Sequence, residues 1–212
     1  SCVGSSDGSI TVIPTNGSSP FVYAVGGTVQ PGDSLFTGLP AGSGHALVTD
    51  ADGCVDSVAF TIDQPTPVAL SLTATDATCF GAGDGIITAS ASGGTPGYSF
   101  GPLGGPTLPD DSLDGLAPGT YNLFAEDANG CRDTASATID EPTPVVVTPA
   151  SDSVSCAGDA DGVVTLTASG GTPGYDFGLV DATDTLRGGP TFTDLVPGNY
   201  QGLVEDANGC AD

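Results

Sequence analysis

Cysteine and aspartate are the residues of this chain whose types and spacing could do chemistry. Its 212 residues hold six cysteines, 26 carboxylate side chains, one histidine and only two cationic residues. The cysteines form three pairs in sequence order, Cys2 with Cys54, Cys79 with Cys131 and Cys156 with Cys210. Thiols so spaced can ligate zinc, act as nucleophiles or oxidise to disulfides. Structural zinc sites draw on CxxC pairs and histidines, whereas no CxxC occurs here and His45 is the one histidine. Disulfides are therefore expected, one inside each pair, and closing a loop of that size stabilises by about 4 kcal/mol in the chain-entropy model. Disulfides persist in oxidising surroundings, which points to an extracellular, periplasmic or cell-surface protein.

The carboxylates recur in the pattern Asp-x-Asp/Asn-Gly, and alternate oxygens of that kind can wrap a hard cation. The candidate calcium ligands are Asp50, Asp52, Glu126, Asp127, Asn129, Glu205, Asp206 and Asn208. None of these stretches carries the distal glutamate of an EF-hand loop, and Asn-Gly or Asp-Gly is also what a tight type I′ hairpin turn requires. Turn and calcium loop are the two readings. Catalysis finds no foothold, because His45 occurs once, reads as an exposed loop residue, and no serine or cysteine nucleophile has a matching base. The chain is not expected to be an enzyme. A formal charge of −24 repels nucleic acid and anionic membranes. No apolar run has membrane-spanning length, so direct membrane insertion is not expected.

These residues recur with a period of 77. Cys2, Cys79 and Cys156 are equivalent, as are Asp7-Gly8, Asp84-Gly85 and Asp161-Gly162. Asp50–Cys54, Asp127–Cys131 and Asp206–Cys210 close the three units. A tandem array supplies length, spacing or multivalency rather than one pocket. Within the middle unit, alternating apolar runs predict strands over 67–75, 85–92, 98–100, 108–116, 120–126 and 134–139, and no window carries a capped helical pattern. The fold expected is all-β, three tandem immunoglobulin-like β-sandwich modules with one disulfide each. Their bounds are 1–66 (lacking a first strand), 67–143 (complete) and 144–212 (lacking a last strand). The tyrosines and phenylalanines at 23, 98, 100, 175 and 177 read as core, with a sugar-stacking surface as the alternative.

The unit junctions read Asp63-Gln64-Pro65-Thr66-Pro67 and Asp140-Glu141-Pro142-Thr143-Pro144. Proline fixes φ and favours extended backbone, so these linkers are expected to be short and stiff and the units to be strung as a semi-rigid rod.

The boxes Cys79-x4-Asp84-Gly85, Gly93-Gly94-Thr95-Pro96-Gly97-Tyr98, Leu116-Ala117-Pro118-Gly119-Thr120-Tyr121 and Asp127-Ala128-Asn129-Gly130-Cys131 together resemble the SprB repeat of Bacteroidetes surface proteins. Unit 3 repeats all of them. Unit 1 departs: Asn16-Gly17-Ser18-Ser19-Pro20 replaces the Gly-Gly-Thr-Pro box, and Gly44 stands at the tyrosine position. The resemblance implies a large secreted filament or adhesin used in surface attachment or gliding, with this segment as a non-catalytic spacer. A calcium- or carbohydrate-binding array and a pilus-like subunit are the alternatives. The expected partners are neighbouring repeats and a surface or polysaccharide ligand. In the phylum that the resemblance suggests, Asp-Ser/Thr-apolar looks like an O-glycosylation signal. It occurs at Ser34, Ser57, Ser112, Thr134, Ser153 and Thr185. No cofactor is expected beyond calcium at the Asp loops and covalent O-glycans.

Overall fold

The computed structural model describes residues 2–181 and 184–212. Every regular element among them is a strand. Repeat 1 contains β1 (Gly8–Thr11), β2 (Val22–Val25), β3 (Thr28–Pro31), β4 (Leu35–Leu39), β5 (Gly42–Thr49) and β6 (Val55–Ile62). Repeat 2 contains β7 (Ala69–Thr75), β8 (Gly85–Ser92), β9 (Ser99–Pro102), β10 (Ser112–Leu116), β11 (Gly119–Glu126) and β12 (Arg132–Ile139). Repeat 3 contains β13 (Val146–Asp152), β14 (Gly162–Ser169), β15 (Asp176–Val180), β16 (Thr185–Gly188), β17 (Thr191–Leu195) and β18 (Gln201–Glu205).

Each repeat folds into two sheets. In repeat 2 the orders are β10-β8-β7 and β12-β11-β9; in repeat 3 they are β13-β14-β17 and β16-β15-β18; in repeat 1 they are β1-β4 and β3-β2-β5-β6. This is an immunoglobulin-like arrangement, in which the first strands of a repeat share one sheet with a middle strand and the last strand lies in the other sheet with the remaining ones. Alternation within strands sends every second side chain inward, as in β8, where Gly85, Ile87 and Ala89 are buried and Ile86, Thr88 and Ser90 are exposed. Repeat 1 packs Val12, Tyr23, Val25, Phe36 and Ala46 into its core. Repeat 3 packs Val164, Leu166, Leu179, Phe192 and Leu195. Tyr23 is thus core, while Phe177 packs half-buried at the edge of the repeat 3 cluster.

Gly44 is matched across the sheet. It pairs directly with Phe60 of β6, whose ring occupies the space above it. Tyr121 and Ala137, the positions 77 residues on, carry the bulk on the opposite strand. One large and one small residue share the site in either order, which is why the departure from the tyrosine pattern leaves the sandwich intact. His45 lies on β5 opposite Ala59, exposed, rather than in a loop.

The chain folds as two compact units, Ser1–Ser71 with Ser90–Leu108 and Phe124–Thr134, and Leu72–Ala89 with Pro109–Leu123 and Ala135–Asp212. The division runs through the strands of repeat 2. Each repeat junction therefore lies inside one unit.

Candidate functional site: the joint between successive repeats

The first unit holds a joint made of the loop after Cys2, the 63–68 linker, the Gly93–Tyr98 box and the Asp127–Cys131 turn. The second holds its counterpart 77 to 79 residues on.

Asp127 organises the upper half of the first joint. Its Oδ1 accepts the backbone N–H of Asn129 at 2.9 Å and of Cys131 at 2.8 Å, and its Oδ2 accepts that of Thr95 at 2.8 Å. The side chain is 4% exposed. Asp206 repeats the set with Asn208, Cys210 and Thr172. In repeat 1, Asp50 keeps it with Asp52, Cys54 and Ser18 although the Gly-Gly-Thr-Pro box is replaced. These N–H bonds hold the carboxylates below their ordinary range, the Thr95 and Thr172 bonds contributing most at Asp127 and Asp206 and the Cys54 bond at Asp50.

The same geometry bears on calcium. Glu126 is ion-paired to Arg132, whose guanidinium carbon lies 4.4 Å from the centre of the Phe124 ring. Asn129 Nδ2 donates to the Thr95 hydroxyl at 2.8 Å. Both oxygens of the central aspartate thus accept N–H groups and its neighbour pairs with a guanidinium, and no cluster of three or more ligating side chains occurs among the described residues. The turn itself differs from type I′. Gly130 N–H returns to the Asp127 carbonyl at 3.0 Å, and only the glycine has positive φ (80°), so the turn ends in a left-handed glycine instead of having two left-handed central residues.

The Gly-Gly-Thr-Pro box grips the linker. Gly94 N–H donates to the Thr66 carbonyl at 2.8 Å, as Gly171 does to Thr143. Gly93 and Gly170 have φ near +75°, and a Cβ on either would overlap the carbonyl of Pro67 or Pro144. Tyr98 Oη donates to the Gly93 carbonyl, and Tyr175 Oη to that of Gly170 at 2.6 Å. These half-buried tyrosines brace a loop, which accounts for them without a sugar. Tyr121 and Tyr200 likewise donate to the carbonyls of Ala117 and Val196, each four residues upstream, in the manner of a tyrosine corner.

Other bonds in the joint lie outside the family boxes. Leu70 N–H at the start of β7 donates to Asp133 Oδ2 at 2.8 Å, and Val147 N–H of β13 donates to Asp212 Oδ2 at 2.8 Å. Gly81 N–H donates to Glu141 Oε2 at 2.6 Å, and Gly4 N–H to Gln64 Oε1 at 3.3 Å. An aspartate two residues after each second cysteine (Asp56, Asp133, Asp212) was the available signal.

The disulfides complete the joints and correct the expected pairing. Cys2 bonds Cys131 and Cys79 bonds Cys210; Cys54 and Cys156 are free and exposed. Each bond joins the first cysteine of one repeat to the second cysteine of the next. The reason is polarity. Gly8, which opens β1, abuts Ile62 at the end of β6, and Ile62 pairs with Gly42 at the start of β5. Cys54 follows the other end of β5, eight residues or about 25 Å away. The two cysteines of one repeat therefore sit at opposite poles, and each meets its complement on a neighbour.

Around the first cysteines the loops are equally fixed. Asp84 accepts both the N–H and the hydroxyl of Thr78, and Asp161 those of Ser155; these hydroxyl bonds, the largest cause, lower both carboxylates. Of the candidate glycosylation positions, Ser57, Thr134, Ser153 and Thr185 are exposed, and Ser34 and Ser112 are half-buried.

Three segments, residues 1–27, 71–101 and 148–183, match the SprB repeat family model. No curated protein matches the chain. Among solved structures, that of the amphioxus IgVJ-C2 molecule is similar at 15% identity and a TM-score of 0.31, over 65% of this chain and 97% of that one.

Proposed function

We propose that this chain, three segments of which match the SprB repeat, is a non-catalytic, load-bearing spacer in an extracellular cell-surface filament that serves attachment or gliding. The observation that carries this reading is the disulfide bridging of successive repeats. No helix among the described residues is long and apolar enough to cross a membrane, and disulfides belong to oxidising compartments. A spacer must resist extension. In a row of separately closed domains, tension has to be borne by the linkers and each sandwich unravels alone. Here the loops closed by the two disulfides overlap. The shortest covalent route through the chain runs from Cys2 across to Cys131, back to Cys79 and across to Cys210. Fully stretched, that route measures about 200 Å, against about 700 Å for the reduced chain at roughly 3.4 Å per residue.

The negative charge suits this role by keeping long parallel chains apart and soluble. Sugars on the exposed Asp-Ser/Thr positions would shield backbone between the joints, and a distal surface or polysaccharide ligand would be bound elsewhere in the filament. Single-molecule stretching from the two ends tests the reading. The oxidised chain should stop near the shorter length and lengthen several-fold when a reductant is added. Equal contour lengths in the two conditions would remove the load-bearing role.

A further inference from the structure

Cys54 and Cys156 are the two cysteines left unbonded, and both are exposed. Neither is an isolated thiol, because each is the register mate of bonded ones: Cys54 of Cys131 and Cys210, and Cys156 of Cys2 and Cys79. Both already have the bonded geometry. Asp50 holds the Cys54 N–H at 2.9 Å, as Asp127 holds that of Cys131 at 2.8 Å. Asp159 N–H returns to the Cys156 carbonyl at 3.1 Å, as Ala82 N–H does to Cys79 and Ser5 N–H to Cys2, each at 3.0 Å.

A second observation lies beside Cys54. In repeats 2 and 3 the loops beside the second cysteine are bonded to the preceding linker, through Gly94–Thr66 and Gly171–Thr143, and to the repeat's own first strand, through Leu70–Asp133 and Val147–Asp212. In repeat 1 the equivalent residues Gly17, Asp50 and Asp56, with Phe21 and Cys54, line an open cavity of about 240 Å³. On the same repeat, β1 pairs only with β4 among the described strands, whereas β8 and β14 are flanked by β7 and β13.

From these we infer that the Cys54 face of repeat 1 is the acceptor half of a further joint, that the Cys156 loop of repeat 3 is the matching donor half, and that the occupant of the first is another SprB repeat bonded to it through a first-position cysteine. A second copy of this chain can supply that donor through Cys156. Such a joint continues the interface that the chain forms twice within itself, and it rests on the reading of the joints as locks. The bond forms by thiol–disulfide exchange with a low-molecular-weight disulfide. The Cys54 thiolate attacks that disulfide and releases one small thiol. The Cys156 thiolate of the other copy then attacks the Cys54 sulfur and releases the second. One disulfide is reduced, one is formed, and the two protein thiols give up their protons to the departing thiolates. Preformed geometry on both halves lowers the ordering cost of meeting.

The test is to incubate the 212-residue chain in a glutathione redox buffer and map the new cross-links by mass spectrometry without reduction. Random coupling of two exposed thiols yields mixed and like pairs in equal amounts. Head-to-tail Cys54–Cys156 links are expected in about tenfold excess over Cys54–Cys54 and Cys156–Cys156 links combined, a bias of about 1.4 kcal/mol. D50A and D161N, which leave both thiols in place and each disturb one half, should bring the ratio back toward equality. Should one variant fail to fold, the other still decides. Equal mixed and like pairs in the unaltered chain, like pairs alone, or monomers capped by glutathione would each overturn it. None of these outcomes touches the Cys2–Cys131 and Cys79–Cys210 bonds on which the stretching experiment depends, so the two readings can fail separately.

Discussion

Cys79 and Cys210 lie 131 positions apart in the chain, yet their Cα atoms are 5.6 Å apart across the joint of repeats 2 and 3. Cys2 and Cys131 stand in the same relation at 5.3 Å across the joint before it. A repeated first cysteine meeting a repeated second cysteine one unit later is a lock that an array can extend indefinitely. The family boxes gather around it: the Asp-Gly loop below, the Gly-Gly-Thr-Pro grip on the linker and the Asp-centred turn above.

Digestion without reduction should release two linked pairs, Cys2 with Cys131 and Cys79 with Cys210, while Cys54 and Cys156 alkylate freely. Recovery of a Cys2–Cys54 peptide would contradict the joint.

Reduction should destabilise the chain markedly. Each disulfide closes a loop of about 130 residues, for which the chain-entropy model gives about 5 kcal/mol, the overlap of the two loops making the sum smaller than twice that. Denaturant titration with and without reductant measures it, and superimposable curves would show that the bonds do not form.

The joints should fail in acid. Asp50, Asp84, Asp127, Asp161 and Asp206 all have carboxylates below their ordinary value of 3.8 in the folded chain. Their contribution is full above the unfolded value and is lost as pH falls through the lower folded values, because protonation removes the acceptor of the N–H bonds. Thermal unfolding should be nearly independent of pH between 5 and 7 by this account, then drop below about pH 4. In D127N the acid drop should shrink; an unchanged profile would mean that Asp127 does not carry it.

Gly170→Ala tests the grip on the linker. The side chain would strike the Pro144 carbonyl at a φ that alanine rarely adopts, for a cost of about 1–3 kcal/mol or more. Gly189→Ala, where no atom lies within 4 Å, is the matched control. Equal stabilities for the two variants would deny the close approach.

Calcium should leave the melting temperature where it is, since the central Asp oxygens are engaged by N–H groups and Glu126 by Arg132. A saturable rise with millimolar calcium, abolished in D127A, would place a cation at the turn.

Much of the fold was legible in the residues. Period-two alternation located the strands of the middle repeat, β8 to the residue, because a strand half-buried in a sandwich writes its burial directly into its sequence. The strand expected from 108 begins only at Ser112, where pairing with Thr88 starts. The boxes could be listed but not assembled. Local spacing cannot tell a bond within a repeat from one between neighbours, since translation by one period preserves every distance along the chain. What decides is the direction of five successive strands, which carries Cys54 to the pole opposite Cys2 and leaves the next repeat to supply each partner. For the same reason the spacing around Asp127 left turn and calcium loop both open: its three donors include Thr95, 32 residues away, and only the folded chain brings that N–H to it.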